Sequence, residues 1–375
     1  MPAFTGSLNV NEIQSVIYNM IIGQYIHTRN INNTYNTLLN MARRNVGLYG
    51  DQELHYATDA YRTYEYNPDT TEQCNVLAVH RPPTPKCQAI QLNNARYIPV
   101  TIDDYFTKRA FMSESGFSDY NAVVVQWLRD TMEIYLTTMY NAFIGTNETN
   151  IGQQEQTVQL IGVPAPEEPI PRDQEAINRL EAVLIGQKIA NILVSLRDPI
   201  QGKDFNDYGF YRSWNSDDLV IVWNSAYFNK IRKVDLVTIF HDNGVVDKLE
   251  EKYILPDTYF GTVNKESGTA GASNTTVRAL VEKEYTVSNT KYHVFPGELI
   301  PNGAAYLANE TYTVKTDIIC KIMHKESVPI LDGVEGEKVF INGRNWSENR
   351  YLHFLVNTPE HIKDMPFITV KAVTA

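Results

Sequence analysis

Ala95-Arg96-Tyr97-Ile98-Pro99-Val100-Thr101-Ile102-Asp103-Asp104-Tyr105-Phe106-Thr107-Lys108-Arg109-Ala110-Phe111 follows closely on His80-Arg81-Pro82-Pro83-Thr84-Pro85, and together these stretches decide the fold class. Tyr97 to Ile102 is aromatic and β-branched, which reads as a strand. Prolines cannot donate to a β-ladder, so Arg81 to Pro85 belongs at a tip or an exposed edge. Working outward, Leu54 to Ile102 is a series of such runs (Tyr56 to Tyr66, Cys74 to His80, Lys86 to Leu92) broken by turn formers such as Asn67-Pro68-Asp69. The pattern predicts a long β-hairpin region turning at Arg81 to Pro85. In that register Cys74 faces a position near Leu92, so Cys74 and Cys87 are expected to remain free thiols.

Downstream, Tyr120, Val124, Trp127, Thr131, Ile134, Tyr135, Thr138, Met139 and Ala142 recur at three- and four-residue steps with no internal Pro or Gly. That periodicity predicts a helix over Ser118 to Ile144, about 40 Å long at the usual rise, with Gly145 as its C-cap. Gly162 to Pro171 carries four prolines and reads as an extended linker. A second helix is expected from Asp173, as N-cap, to Leu196. The strand Leu219 to Trp223 leads into a helix over Ala226 to Phe240. Gly261 to Thr276 is small and polar and reads as a flexible loop, and Tyr285 to Val373 as short strands with turns at Asn302-Gly303 and Asn342-Gly343. Before the hairpin, Ile13, Val16, Ile17, Met20 and Ile21 predict a short helix on an arm, capped by Asn9 or Asn11.

The 375 residues suffice for two or three cores, and 43% hydrophobic with 21% charged residues fits a globular chain. Val16 to Ile26, the most apolar stretch near the start, is too interrupted to span a bilayer. No signal peptide is expected at Met1-Pro2-Ala3-Phe4-Thr5-Gly6. With 33 basic against 44 acidic residues, a net charge of −11 and no basic stripe, sequence-specific nucleic-acid binding is not expected.

Motifs of chemistry are missing. Gly202-Lys203 lacks the upstream glycine of a phosphate-binding loop, and Gly268 to Ser273 lacks the spacing of a dinucleotide fingerprint. There is no zinc-protease or nucleophile-elbow motif and no pair of Cys-x-x-Cys elements. His241 beside Asp242, and His353, read as packed or surface histidines. The adjacent pairs Asp103-Asp104, Glu167-Glu168, Asp217-Asp218 and Glu250-Glu251 cannot converge on one substrate by themselves, because neighbouring side chains diverge on strands and helices alike. No catalytic residue, metal ligand or cofactor is expected. The 23 tyrosines could be core, a carbohydrate platform or interface anchors. Tyr56, Tyr61, Tyr64 and Tyr66 on the hairpin are hard to bury within one domain, so a protruding hairpin needs a partner to cover it.

The order of arm, long hairpin, long helix, mixed domain and returning strands resembles the Hong Kong 97-type major capsid proteins of tailed phages, a fold also used by encapsulins. The two quoted stretches look like the returning arm of that family's extended loop running into its spine helix. Ser213-Trp214-Asn215-Ser216-Asp217-Asp218-Leu219-Val220-Ile221-Val222-Trp223 with Val234 to Phe240 looks like its axial strand and helix. The resemblance implies an α+β fold divided into an N-terminal arm (1–50), an extended loop (51–104), a peripheral domain with the spine helix (105–166 and 286–375) and an axial domain (167–285). It implies assembly as hexamers and pentamers of an icosahedral head around double-stranded DNA, with scaffolding and portal proteins, no membrane, and host cytoplasm as the place of assembly. Tyr61, Tyr64, Tyr66, Arg81, Pro82, Pro83 and Lys86 are the implied assembly residues. Some members weld neighbours through a lysine and an asparagine; Lys86 and Asn342 are the candidates here, but most members do not crosslink and no crosslink is expected. Gly145 and Pro164 to Pro171 are the first places to look for hinges. No fused scaffold stretch is apparent at the start. The alternatives are an encapsulin-type shell and, from another class, a carbohydrate-active hydrolase with dispersed carboxylates.

Overall fold

A computed structural model describes residues 37–45, 48–63, 79–103, 114–149, 151–160, 174–232, 252–333, 335–344 and 347–374. They fall into two compact bodies. One takes the described residues within 1–51, 92–138 and 330–358; the other takes those within 52–91, 139–329 and 359–375. The expected arm helix, the Pro-rich linker, Tyr64, Tyr66, Cys74, His241 and Glu250-Glu251 lie outside the described residues.

The first body is built on Ser347–Val356. That strand pairs antiparallel with Asn94–Asp103 along ten residues, from Ser347↔Asp103 to Val356↔Asn94, and on its other edge with Gly336–Asn342. Tyr97 to Ile102 is therefore a strand, as its composition predicts, but its partner lies 250 residues on and it is no part of a hairpin. Its inward residue Ile102 packs on Val124 of the long helix, flanked by Val100 and Trp127. The helix runs from Glu114 to Thr146, 33 residues and so about 50 Å. Arg43 forks onto Glu133 at 2.9 and 3.0 Å and reaches Asp332 at 3.2 Å, tying the strand Arg43–Asn45 to helix and sheet.

Gly145 is not the C-cap. It sits inside the last helical turn, where a Cβ would overlap the Tyr259 carbonyl. Close approach of two backbones, not a left-handed turn, is what requires glycine there.

In the second body, five strands follow the order Glu155–Leu160, Phe367–Thr374, Ile318–His324, Leu219–Asn224, Lys252–Leu255. The central runs Leu-Val-Ile-Val-Trp and Ile-Ile-Cys-Lys-Ile-Met are buried residue after residue, the signature of strands covered on both faces. The helix Gln174–Arg197 covers one face with Ile185, Ile189, Ile192 and Leu196 against Ile221, Ile322 and Val370. Ile318–His324 thus joins Phe367–Thr374 and Leu219–Asn224 in one sheet. An apolar run records its burial but not its partner.

After Leu219–Asn224 the helix is described over Ser225–Arg232, and the rest of the expected Ala226 to Phe240 helix lies outside the described residues. Residues 261–314 form a small β module around Ala279, Tyr285, Val294 and Ile300. Within it, Gly268–Thr269 pairs with Ala305–Tyr306, so the expected flexible loop carries a short ladder. Gly303 turns with φ +79°, as Asn302-Gly303 predicts.

Candidate assembly surface

Gln52–Ala57 and Lys86–Gln91 pair antiparallel from Gln52↔Gln91 to Ala57↔Lys86. This register corrects the predicted hairpin. Cys87 faces Tyr56, and the connection between the arms is residues 58–85. Arg81, Pro82 and Pro83 stand near the root of that connection, before Lys86, and not at a tight tip. A proline run marks where pairing stops; it does not reveal which segment pairs beyond it.

Alternation divides the hairpin into two faces. Inward, Ala57, Gln88 and Ile90 are buried; outward, Leu54, Tyr56, Cys87 and Ala89 are exposed, Tyr56 by 69%. Gln88 anchors the inward face. Its Nε2 donates to Glu360 Oε1 at 3.0 Å and to the His361 carbonyl at 2.9 Å, and its Oε1 accepts from the Lys363 amide at 2.9 Å. Arg212 donates to both Asp364 oxygens and to the Thr58 carbonyl, and Asp59 Oδ1 accepts from the Tyr211 amide at 3.0 Å. The Lys86 ammonium lies 4.7 Å from the centre of the Tyr208 ring and 5.2 Å from that of Phe210, a cation–π arrangement. The root of the hairpin is therefore pinned on its inner face while its outer face is open.

Beyond the root, Asp59, Tyr61, Arg62, Arg81, Pro83 and Tyr211 line an open cleft of about 790 Å³. Tyr61, Arg81, Pro82, Pro83 and Lys86 are all exposed, and Tyr64 and Tyr66 lie outside the described residues.

Sequence reasoning missed a second open surface, in the first body. Every residue of the edge strand Gly336–Asn342 is exposed, including Val339, Phe340 and Ile341, the last by 76%. Tyr97, Tyr351 and His353 continue it as a run of rings, with Phe340 5.8 Å from Tyr351 and Tyr351 6.0 Å from Tyr97. Three apolar residues in a row ordinarily mean burial, so local pattern gave no sign of an open edge.

Among the described residues no group of His, Cys, Asp and Glu has the arrangement of a metal site, and no helix is long and apolar enough to cross a membrane. Cys87 and Cys320 are free thiols. Burial pushes the Cys320 thiol far above its usual range, despite the neighbouring Lys321 charge, which keeps it protonated. Asp217-Asp218 lies in a short 3-10 turn leading into a strand.

Comparison with known proteins agrees with this architecture. No curated protein sequence matches the chain. Among solved structures it is similar to a chain of the capsid of Staphylococcus phage Andhra, with 10% identity and a TM-score of 0.59 over 93% of this chain and 87% of that one. A chain from the structure of the head fibre and inner core protein of bacteriophage P68 gives 11% identity and a TM-score of 0.56 over 88% and 83%. At such identities the likeness shows the fold alone. Neither the encapsulin nor the hydrolase alternative gains support. The family model for the Phi29-like phage major capsid protein matches residues 5–358, and the chain belongs to that family of proteins that build the phage head.

Proposed function

We propose that copies of this major capsid protein join through the extended hairpin, each laying its outward face and connecting loop on a neighbour. The observation that carries this reading is the contrast between the two faces: a bonded inner face at Gln88, Arg212 and Asp59, and an exposed outer face of Leu54 and Tyr56. A two-stranded hairpin standing free in water is marginal, whereas one covered by a second copy buries its apolar side and shields its edges. Tyr61, Tyr64, Tyr66, Arg81, Pro82 and Pro83 are assigned to this contact, while Lys86, paired beside Ala57 and held over the Tyr208 and Phe210 rings, belongs to the pinned inner face. Hexamers and pentamers closing an icosahedral shell, double-stranded DNA held inside without sequence-specific contacts, scaffolding and portal proteins as helpers, and assembly in the host cytoplasm complete the proposal. We assign the body built on Ser347–Val356 to the peripheral role and the five-stranded body to the axial role.

The test is sedimentation of the purified chain and of a Leu54→Asp, Tyr56→Asp variant. Both substitutions fall on exposed positions, so the variant should keep its melting temperature and lose shells in favour of small species. Shells in wild-type yield from the variant would remove the hairpin face from the contact.

A further inference from the structure

The segment that grips the hairpin root is itself built around a buried histidine. His361 is 6% exposed, its Nε2 lies 3.0 Å from the Met365 carbonyl, to which it donates, and its ring meets the Phe367 ring edge-on at 5.3 Å. The same residue's carbonyl, the Glu360 carboxylate and the Lys363 amide supply all three bonds to Gln88. One backbone stretch, residues 360–363, therefore holds both the imidazole in the core and the hairpin on the surface.

The charged groups facing the ring are Asp207, which favours its protonation, and Lys363, which opposes it. Oδ1 of Asp207 accepts from Nε2 of the buried Gln154 at 2.8 Å, and the Asp207 amide donates to the Lys363 carbonyl at 2.8 Å. Phe367 offers no acceptor, and the Met365 carbonyl is taken by Nε2. A second ring proton has no described partner waiting for it. Burial lowers the histidine to about 4, with Asp207 and the Met365 bond pulling the other way.

We propose that His361 is an acid-sensitive latch on the assembly hairpin, whose protonation expels the ring, displaces residues 360–363 and lets go of Gln88. This rests on the hairpin being the contact between copies, and it adds a condition under which that contact is freed. The sign follows from linkage. With the folded value below the ordinary 6.5, the grip is complete above about pH 6.5 and is lost as pH falls through about 4.

The experiment is hydrogen exchange on the full-length chain at pH 7 and pH 4, with each amide's protection referred to its intrinsic rate at that pH. Residues 52–57 and 86–91 are compared with the core strand Leu219–Asn224. In the wild type the hairpin should lose about tenfold or more protection at pH 4 while the core strand keeps its own. His361→Gln, which retains a donor for Met365 and cannot be charged, should show no such loss. Gln88→Leu should exchange fast in the hairpin at both pH values, giving a reading even if His361→Gln folds poorly. Equal hairpin protection at both pH values, an equal loss in His361→Gln, or a loss shared by the core strand would overturn the latch. Shell formation at pH 7 tests the hairpin contact separately, so failure of one claim is distinguishable from failure of the other.

Discussion

Lys321 is a cation where none would be expected, fully buried in the centre of the five-stranded sheet. Its ammonium donates to the Asn147 carbonyl at 2.8 Å, just beyond the long helix, and to Thr369 Oγ1 at 2.9 Å. These bonds satisfy it without restoring the hydration it has lost. Burial lowers its pKa from 10.5 to about 7; Glu148, Cys320 and Glu155 work against that shift and Lys371 adds to it. The folded chain thus binds fewer protons than the unfolded one between pH 7 and 10.5. Lys321 then contributes stability that is full above the unfolded value and lost as pH falls toward 7. Unfolding free energies from denaturant titrations should rise between pH 7 and 9.5 with a slope of up to about 1.4 kcal/mol per pH unit. In Lys321→Met, which fills the same volume without a titrating group, that slope should vanish. Identical slopes in the two proteins would mean that the amine stays charged throughout.

At the scale of elements, the long helix shows what periodicity can and cannot tell. Its apolar steps revealed its existence, and Gly145 read naturally as its end. Inside the helix a glycine-to-alanine change ordinarily stabilises by about 1 kcal/mol. Here the new methyl would meet the Tyr259 carbonyl, and forcing two backbones apart outweighs the helical gain. Gly145→Ala is therefore expected to lower stability by about 2 kcal/mol or more, seen as a lower melting temperature, and a higher one would mean that the contact is loose. The same limit explains the other differences. Helix Gln174–Arg197 and strand Leu219–Asn224 were legible because their signals are local: a 3.6-residue stripe and an unbroken β-branched run. Partners were not legible, because Asn94–Asp103 finds Ser347–Val356, and Gln52–Ala57 finds Lys86–Gln91, across long separations. Gln88 was missed as an anchor since a lone glutamine in a strand carries no motif. Its role exists only where residues 360–363 arrive beside it.

For the whole molecule, charge and apolar surface set opposing demands on assembly. Each chain carries −11, so copies brought together repel one another. The surfaces left open on each body, Leu54 and Tyr56 on one and Val339, Phe340 and Ile341 on the other, are apolar and gain from contact whatever the salt. Screening shortens the reach of the repulsion to about 10 Å at 0.1 M ionic strength and about 3 Å at 1 M, while leaving the apolar contribution in place. Raising NaCl should therefore lower the protein concentration at which shells appear, followed by light scattering on the purified chain. The Leu54→Asp, Tyr56→Asp variant should not recover wild-type assembly at high salt, since screening offsets added charge but cannot replace lost apolar area. A wild-type threshold that rises with salt would point to pairing of opposite charges across the contact, with Arg62 and Arg81 in the cleft beside Tyr61 as its first candidates.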